Sequence, residues 1–334
     1  MSVNKDGVQL FDGIADTDDM FITTMEEMDK EVGDEITIPQ PVFRYLKDAN
    51  LIQYRKSIGT HVPVKLLDKE NSTVKDFAHY DDVDNTPQDA LSEAKFSYGQ
   101  TVGTQMYSRQ ELVQNSGEEQ MIDLVETKTD QLLKTMANKF GSNLMGSQDA
   151  DGRTPMGLGR VMAYNQSCGG ILPTTAGFEY WNPQRGLKSD GATQYALATE
   201  MRDGIRRLTR LCTYQGETPD VLIAGEDLYD EMQKFAESKL QLSIKDLKDE
   251  KGWGAFNMFP YNSQVVIYDE SMDPKTGWLM NFRDSVKVRI HSGTNFQFEK
   301  WQMMTNKVAK KRDCLLYAAV FVKKRNSNGF ITFT

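Results

Sequence analysis

The sequence predicts an α+β fold, with helices and mostly antiparallel strands in separate stretches of the chain. One long amphipathic helix is predicted over residues 117–146, and short apolar runs bounded by turn residues crowd residues 265–334. Strand and helix do not alternate in the regular order that a parallel sheet needs. The length of 334 residues fits one elaborate domain or two interlocked subdomains.

The composition is that of an ordinary soluble globular protein, since 39% of the residues are hydrophobic and 26% are charged. No apolar run approaches the roughly 18 residues of a membrane-spanning helix. The segment MSVNKDGVQLFDG does not contain a basic stretch followed by an apolar one, so it does not resemble a secretory signal. We expect a protein that is made in the cytoplasm and has no membrane partner.

Charge is distributed unevenly along the chain, although the net charge is only −9. Residues 1–35 contain eleven acidic side chains and two lysines, whereas residues 301–334 contain seven Lys or Arg and one Asp. This asymmetry predicts complementary contacts within a subunit or between subunits. A solvated acidic tail would explain the first segment equally well.

Residues 1–45 are predicted to form an extended arm, because they carry few periodic signals. Within them, Ile36 to Pro41 contains two prolines, and each proline biases the preceding residue away from helix. We expect such an arm to gain its order by lying on neighbouring surfaces rather than by folding alone.

Two extended runs on either side of a polar stretch predict a projecting hairpin. The first is the β-rich segment 61–66, and the second is the run 94–107, in which Phe96 and Tyr98 share a face. Between them, residues 68–93 are dense in Asp, Asn, Ser and Thr. A polar loop of this length is unusual in a compact domain and generally has a function.

The long helix is the strongest local signal in the chain. Ser116 and Glu119 have the spacing of a capping box, and apolar residues then recur at helical intervals. The predicted apolar stripe comprises Met121, Ile122, Val125, Leu132, Leu133, Met136, Ala137, Phe140 and Leu144. At about 1.5 Å per residue the helix would be ~40–45 Å long, which suggests a spine.

The remainder of the chain is predicted to contain shorter elements. Residues 147–193 are loop-like with glycine-rich stretches, and two further helices follow at 194–213 and 226–238. Strands are predicted at 219–225, 265–268, 278–282, 286–290, 296–305, 315–324 and 330–333.

Sequence patterns that carry catalysis or metal binding do not occur in recognisable form. There is no P-loop, no complete Gly-x-Gly-x-x-Gly, no Gly-x-Ser-x-Gly and no His-Glu-x-x-His. His61, His79 and His291 are far apart, and the three cysteines are too widely spaced for a zinc site or a disulfide framework, which favours buried free thiols. Adjacent acids such as Asp81 and Asp82 are typical of solvated loops. We therefore expect no enzyme activity, no cofactor and no metal.

A basic cluster late in the sequence comprises Lys307, Lys310, Lys311 and Arg312. It can contact phosphate, but a sequence pI of about 5.1 differs from the basic footprint of a dedicated nucleic-acid-binding protein. Given the acidic residues 1–35, pairing with acidic protein surfaces is the favoured interpretation.

Four segments, taken in order, resemble the major capsid proteins of tailed bacteriophages. The run Ser108 to Leu124 resembles the entry into that family's spine helix, and Gly177 to Gln184 is similar to an aromatic W-x-x-Q segment of some members. Pro219 to Tyr229 resembles the strand and helix that open the family's axial subdomain, and Arg289 to Phe296 resembles the crossing back to the peripheral subdomain. The order of these elements carries the resemblance.

This resemblance covers roughly residues 50–334 and implies an HK-ninety-seven-like phage capsid fold, with an N-terminal arm, an extended loop, a peripheral subdomain with a long spine helix, and an axial subdomain. The expected segments are 1–45 for the arm, 46–107 for the extended-loop hairpin and its flanking strands, 108–193 for the peripheral subdomain with the spine helix, 194–294 for the axial subdomain, and 295–334 for the return strands of the peripheral subdomain.

The function implied by the resemblance is that of a major capsid protein. Such a chain would self-assemble, through hexamers and pentamers of itself, into an icosahedral shell around the double-stranded DNA genome of a phage. No N-terminal scaffolding domain is recognised, so a separate scaffolding protein, or an arm that does this task, is expected, together with a portal and a possible decoration protein. Contact with packaged DNA would be weak and non-specific. The protein would reside in the virion capsid after assembly in the host cytoplasm.

Ten residues are candidates for the interfaces between subunits, because they lie in the acidic arm, the hairpin, the aromatic segment or the basic cluster. They are Asp16, Asp18, Asp19, Tyr80, Asp81, Phe96, Trp181, Lys310, Lys311 and Arg312. We expect arm carboxylates to meet the basic cluster of a neighbouring subunit, which predicts salt-sensitive assembly.

Three alternatives remain open at this point. An encapsulin-type compartment shell would have the same fold and enclose an enzyme cargo. A tail or baseplate structural protein would form rings or tubes instead of icosahedra. An α+β hydrolase would turn over a substrate as a small oligomer.

Overall fold

A computed structural model of the chain confirms the α+β class. It describes residues 41–56, 59–67, 73–76, 79, 82, 91–108, 110–111, 118–214, 216–239, 258–261, 264–305, 307 and 309–334. These residues form two compact units, each built from separate stretches of sequence. The described parts of the first unit fall within 102–138 and 298–314, and those of the second fall within 40–101, 139–297 and 315–334.

The described residues form five helices and thirteen strands. The helices are α1 (Pro41–Asp48), α2 (Glu118–Met145), α3 (Leu158–Met162), α4 (Leu197–Cys212) and α5 (Glu226–Lys239), with short 3-10 turns at Glu179–Trp181 and Arg325–Ser327. The strands are β1 (Ile52–Arg55), β2 (His61–Leu67), β3 (Leu91–Ser97), β4 (Gly99–Ser108), β5 (Gln184–Arg185), β6 (Val221–Ala224), β7 (Met258–Tyr261), β8 (Gln264–Tyr268), β9 (Thr276–Met280), β10 (Val286–Phe298), β11 (Gln302–Met303), β12 (Ala309–Val322) and β13 (Gly329–Thr332).

Helix α1 corrects the predicted extended reading of the residues around Pro41. Proline is favoured at the first helical position, where the missing N–H would have no intrahelical partner. Phe43 and Leu46 are among the residues that α1 buries. The helix ends at Asp48, and the chain turns away at Asn50, whose φ of 53° is left-handed, with Leu51 N–H donating to the Leu46 carbonyl at 2.9 Å. The remainder of the predicted arm lies outside the described residues.

Helix α2 agrees with the predicted spine helix over 117–146. Its 28 residues correspond to about 42 Å of helix. In the first unit it buries Val125, Leu133 and Met136, which belong to the predicted apolar stripe. The proposed cap at Ser116 lies outside the described residues.

The second unit contains a six-stranded mixed sheet with the order β5-β13-β9-β6-β8-β7. Strand β6 is buried along its whole length, paired in parallel with β8 and antiparallel with β9. Helices α4 and α5 pack on the sheet and share one apolar core with it, to which Ile205, Leu208 and Leu228 contribute. Within each helix, the residues of this core follow the spacing of three and four that places apolar side chains on one face.

Two strands of this sheet come from outside the range 194–294 predicted for the axial subdomain. Strand β5 precedes that range, and β13 follows it by more than thirty residues. Residues 330–333 were assigned to the return strands, but β13 pairs with β5 and β9 instead. Pairing between residues so distant in sequence leaves no local signal, which explains the difference.

A second mixed sheet has the order β1-β10-β12-β11, with β4 also paired to β12. Strand β1 runs parallel to β10, with Ile52 opposite Val288. The predicted strand over 296–305 is wrong in its middle, because β10 ends at Phe298 and only Gln302–Met303 is extended again. Phe296 has a left-handed φ of 50°, which disturbs the regular pleat just before that break.

Candidate assembly surfaces

The hairpin predicted from the two extended runs is present, with β2 and β3 paired antiparallel from His61 opposite Ser97 to Leu67 opposite Leu91. Alternate residues bury one face of this two-stranded sheet, a face that comprises Val62, Val64, Leu66, Ala94 and Phe96. The opposite face carries the cross-strand pairs Pro63 with Lys95, Lys65 with Glu93 and Leu67 with Leu91. The run 94–107 is therefore two strands, β3 and β4, separated at Tyr98.

The end of the hairpin farthest from Ser97 exposes large apolar side chains. Leu67 is 77% exposed and Leu91, directly opposite it, is 60% exposed. Val74, in the loop between the strands, is 80% exposed. Clustered exposed apolar residues are unusual on a monomeric protein and mark surfaces that bind another molecule.

Phe96, one of the predicted interface residues, is buried within its own subunit. Its ring lies against Gly169, where a Cβ atom would approach within 2.7 Å of the ring. The Lys95 N–H donates to the Gly169 carbonyl at 2.9 Å, and Gly169 has a left-handed φ of 61°. Glycine is needed here both for its backbone conformation and for the close approach of the ring. Phe96 therefore anchors the base of the hairpin.

Trp181 is also buried, with 1% of its surface exposed. Its indole Nε1–H donates to the Cys168 carbonyl at 3.0 Å, so the polar atom of the ring is satisfied inside the subunit. In this structure neither Trp181 nor Phe96 presents its side chain to a neighbouring subunit, and their part in assembly stays a prediction.

Arg325 joins the segments around Trp181 through main-chain oxygens. Its guanidinium, on a fully buried residue, donates to the carbonyls of Val161 at 2.9 Å, Arg160 at 3.0 Å, Gln166 at 2.8 Å and Trp181 at 3.1 Å, and also to Ala163. Burial lowers the pKa of Arg325, yet a guanidinium remains charged in proteins. One cation therefore satisfies the carbonyl groups at the end of α3 and in the loops that follow it.

In the first unit, Arg312 is likewise buried and does not belong to a surface cluster with its neighbours. Its guanidinium donates to Gln105 Oε1 at 2.8 Å and to Thr129 Oγ1 at 3.2 Å. It also lies 3.8 Å from the ring centroid of Phe298 and 5.0 Å from that of Trp301. Cation–π contacts of this kind are stronger when they are removed from water. Sequence reasoning placed Arg312 on a surface because it lies between charged residues.

Lys310 and Lys311 are more accessible than Arg312. Lys311 Nζ lies 3.3 Å from Asp313 Oδ2, and the Thr104 hydroxyl donates to the other oxygen of Asp313 at 2.6 Å. The Thr104 hydrogen bond, followed by Lys311, lowers the pKa of Asp313. Part of the predicted basic charge is therefore balanced inside the subunit.

Ser108 and Glu111 form a reciprocal cap that sequence reasoning overlooked. The Glu111 N–H donates to Ser108 Oγ at 3.1 Å, and the Ser108 N–H donates to Glu111 Oε2 at 3.2 Å. This is the geometry of a capping box, and the spacing Ser-x-x-Glu was visible in the sequence. The Ser108 bond and the Lys128 ammonium, at 3.2 Å, lower the pKa of Glu111.

The remaining candidates, Asp16, Asp18, Asp19, Tyr80 and Asp81, lie outside the described residues. Cys168, Cys212 and Cys314 are buried free thiols, as predicted. Burial raises the pKa of Cys168 to about 12, which leaves its thiol protonated and unreactive.

The described residues hold no group of three or more His, Cys, Asp or Glu side chains placed to bind a metal. Within the same part of the chain, no helix combines the length and apolar character needed to cross a membrane.

Comparison with known proteins identifies the fold of the chain. No family model and no curated protein matches the sequence. A solved structure of the cyanophage A-1(L) capsid asymmetric unit superposes with a TM-score of 0.58 at 13% identity, covering 85% of this chain and 90% of that chain. The capsid of phage XM1, from the Myoviridae, gives 0.50 at 10% identity over 86% and 92%. The chain has the HK-ninety-seven-like phage capsid fold.

The capsid fold extends over most of both chains in each comparison. The capsid of a native GTA particle likewise gives a TM-score of 0.53 at 8% identity, covering 86% of this chain and 89% of that chain. At identities this low, the superpositions show a shared fold and carry no residue roles from those proteins to this chain. The family resemblance inferred from the order of elements is thereby confirmed at the level of the fold.

Proposed function

We propose that this chain is the major capsid protein of a tailed bacteriophage, and that it assembles with copies of itself into an icosahedral shell around double-stranded DNA. The observation that carries the proposal is the capsid fold, which spans about 85% of the chain without a large additional domain in the described residues. Catalysis has no part in the proposal.

The hairpin supports a role in assembly. Its apolar face is already covered within the subunit, yet Leu67, Leu91 and Val74 are left in solvent at its far end. Burying a leucine that is this exposed contributes about 1.5–3 kcal/mol. We assign these residues to a contact with a neighbouring subunit, in addition to the contacts predicted from sequence for Tyr80 and Asp81.

The acidic arm is assigned to the basic residues of a neighbouring subunit. Asp16, Asp18 and Asp19 are the proposed anions, and Lys310 and Lys311 are the proposed cations. Arg312 is removed from this set, because its charge is used among Gln105, Thr129 and two aromatic rings. Its role is to link β12 to Gln105 on β4 and Thr129 on α2.

The further partners are those that a shell of this kind requires. Subunits group as hexamers and pentamers, a separate scaffolding protein guides their curvature, and a portal occupies one vertex. A decoration protein is possible on the outer surface. Contact with packaged DNA is weak and non-specific, since strong binding to the wall would hinder packaging. Assembly takes place in the host cytoplasm, and the final location is the virion.

Electron microscopy of the protein, expressed alone and with its neighbouring genes, tests the proposal. We expect closed shells of uniform diameter that retain nuclease-protected DNA when the packaging genes are present. A small oligomer of one size under all conditions would refute the proposal, and shells that enclose an enzyme would favour the encapsulin-type alternative.

A variant of the hairpin tests how the shell is held together. Leu67→Asp combined with Leu91→Asp should abolish closed shells while the circular dichroism spectrum stays unchanged, because both side chains are exposed within the subunit. Leu172→Asp, at an exposed leucine outside the hairpin, is the matched control and should assemble. Assembly of the hairpin variant at the wild-type yield would contradict the proposed contact.

A further inference from the structure

Helix α4 in the second unit presents two arginines to solvent. Arg206 and Arg210 are both exposed, are four residues apart, and form no ion pair among the described residues. Residues at this spacing lie next to each other on a helix surface. Leu211, which is 43% exposed, and Tyr214, which is 50% exposed, follow directly. We call Arg206 and Arg210 the arginine ridge.

The same unit carries a concentrated negative surface where α5 begins. The turn after β8 is held against α5 by Leu228 N–H, which donates to the Pro274 carbonyl at 3.1 Å, and by Gly225 N–H, which donates to Thr276 at 3.0 Å. This places exposed carboxylates from the helix and from the turn on one surface. They are Glu226, Asp227, Asp230, Glu270 and Asp273, here called the acidic corner.

The acidic corner is dense enough to affect a neighbouring hydroxyl. Burial, followed by the carboxylates of Glu226 and Glu270, raises the pKa of Tyr268, the last residue of β8. Two lysines lie nearby in sequence, of which Lys234 is paired with Glu231 at 2.8 Å and Lys275 is exposed in the turn. The corner therefore keeps an excess of negative charge.

The arginine ridge and the acidic corner lie at opposite ends of β8. The Gln264 side-chain amide, at the first residue of β8, donates to Thr209 Oγ1 at 3.1 Å, and Thr209 is the neighbour of Arg210 on α4. The corner surrounds the opposite end of the strand at Tyr268. A five-residue strand spans roughly 13–17 Å, so the two charged surfaces do not meet within one subunit.

We propose that the arginine ridge of one subunit binds the acidic corner of the next copy of this chain within a ring. Two different complementary surfaces on one molecule produce a head-to-tail contact, and such contacts close into rings when the rotation permits. The contact rests on the proposed capsid function, since it names the partner surface within a hexamer or pentamer. Leu211 and Tyr214 supply apolar area beside the charges. The charges determine how two neighbouring subunits align in the ring.

Charge-reversed variants test this contact. Arg206→Glu with Arg210→Glu makes both surfaces acidic. Glu226→Lys, Asp227→Lys and Asp230→Lys together make both basic, because only two carboxylates of the corner then remain against three new lysines. Each variant should lower the fraction of assembled subunits by at least roughly tenfold, because like charges then face each other. Combining all five substitutions in one chain restores complementarity with the signs exchanged, and should restore assembly. Circular dichroism and thermal unfolding of each variant check that the subunit is folded.

A mixture of the two reversed variants provides a sharper test. In a ring that alternates the two variants every contact is complementary. The acidic ridge of one variant meets the basic corner of the other, and at the next contact a basic ridge meets an acidic corner. Alternation closes only in rings with an even number of members. We therefore expect the equimolar mixture to form hexamers and no pentamers, as seen by native mass spectrometry and electron microscopy.

A matched control separates local pairing from total charge. Arg206→Glu and Arg210→Glu combined with Asp284→Lys and Glu299→Lys, two exposed acids outside both the hairpin and the acidic corner, has the net charge of the wild type and should stay defective. Equal recovery in this control and in the five-fold exchange would overturn the proposal. The proposal would also be overturned if Arg206→Glu with Arg210→Glu assembled at the wild-type yield but retained less DNA. That result would assign the ridge to nucleic acid. Failure of the wild type itself to form shells would reject the capsid function instead.

Discussion

Two buried arginines, one in each unit, are held by different kinds of partner. In the first unit Arg312 is bound by the side chains of Gln105 and Thr129 and lies against aromatic rings. In the second unit every side-chain hydrogen bond of Arg325 goes to a main-chain carbonyl. These carbonyls belong to five residues between Arg160 and Trp181. Side-chain partners can rearrange when the cation is lost, whereas carbonyls fixed by the backbone cannot. The two sites should therefore differ in their tolerance of substitution.

The largest effect is expected for Arg325→Met. This change leaves several buried carbonyls without donors, and removing one side of a buried charged contact costs about 3–5 kcal/mol. Arg325→Lys should recover part of the loss, since an ammonium has three donors and no planar fork. Urea unfolding of unassembled subunits measures both values. A loss below ~1 kcal/mol for Arg325→Met would show that water or the backbone replaces the guanidinium.

A smaller effect is expected for Arg312→Met. Gln105 Nε2 still donates to the Tyr107 hydroxyl at 2.6 Å, and the Thr129 hydroxyl still donates to the Val125 carbonyl at 2.7 Å. Methionine also retains contact with the rings, so a loss of about 1–3 kcal/mol is expected, from hydrogen bonds to a charged group. The same urea unfolding experiment ranks the two arginines. A loss equal to that of Arg325→Met would remove the distinction between them.

A double-mutant cycle sharpens the difference at the Arg312 site. Gln105→Met and Arg312→Met remove the two ends of one hydrogen bond of 2.8 Å, so their effects on the free energy of unfolding should fall short of additivity by roughly 1 kcal/mol. Strict additivity within about 0.3 kcal/mol would indicate that the two side chains act independently.

The smallest effect is a stabilisation at Asp220, a buried anion of the second unit. Its Oδ1 accepts from the Phe282 N–H at 2.7 Å, but its Oδ2 has no hydrogen bond and lies 4.0 Å from the exposed Arg283. Burial raises its pKa from the model-compound value of 3.8, despite the Phe282 bond and the charges of Arg283 and Lys287. The folded protein therefore holds this proton more tightly than the unfolded chain and loses stability as pH rises above 3.8 through the raised pKa.

Asp220→Asn removes that titration and keeps the shape of the side chain. We expect a gain of about 1 kcal/mol at neutral pH, because burying the uncharged amide costs less than burying the carboxylate. Unfolding measured from pH 3 to pH 8 should show a flatter profile for the variant. A parallel profile would mean that Asp220 is adequately compensated by Arg283.

The long helix, the hairpin and the α+β class were predictable because each repeats a local pattern. Val125, Leu133 and Met136 follow helical spacing, and Val62 and Val64 follow the alternation of a strand. The positions of Arg312 and Arg325 were not predictable, because each guanidinium is satisfied by groups more than 140 residues away in the sequence. For Arg312 these groups lie on β4 and α2. Phe96 and Trp181 were recognised as important aromatic residues, but sequence carries no sign of whether an aromatic ring faces its own chain or a neighbour.

The insertion of β13 between β5 and β9 has a consequence for the order in which the protein folds during translation. Residues 329–332 leave the ribosome about 145 residues after Gln184, a delay of roughly 7–30 s at about 5–20 residues per second. Until then β5 has no partner in the six-stranded sheet, and the edge of β9 that β13 later covers is open. A nascent chain in this state cannot present finished α4 and α5 surfaces to another subunit. Synthesis itself thus separates the folding of each subunit from its recruitment into a ring.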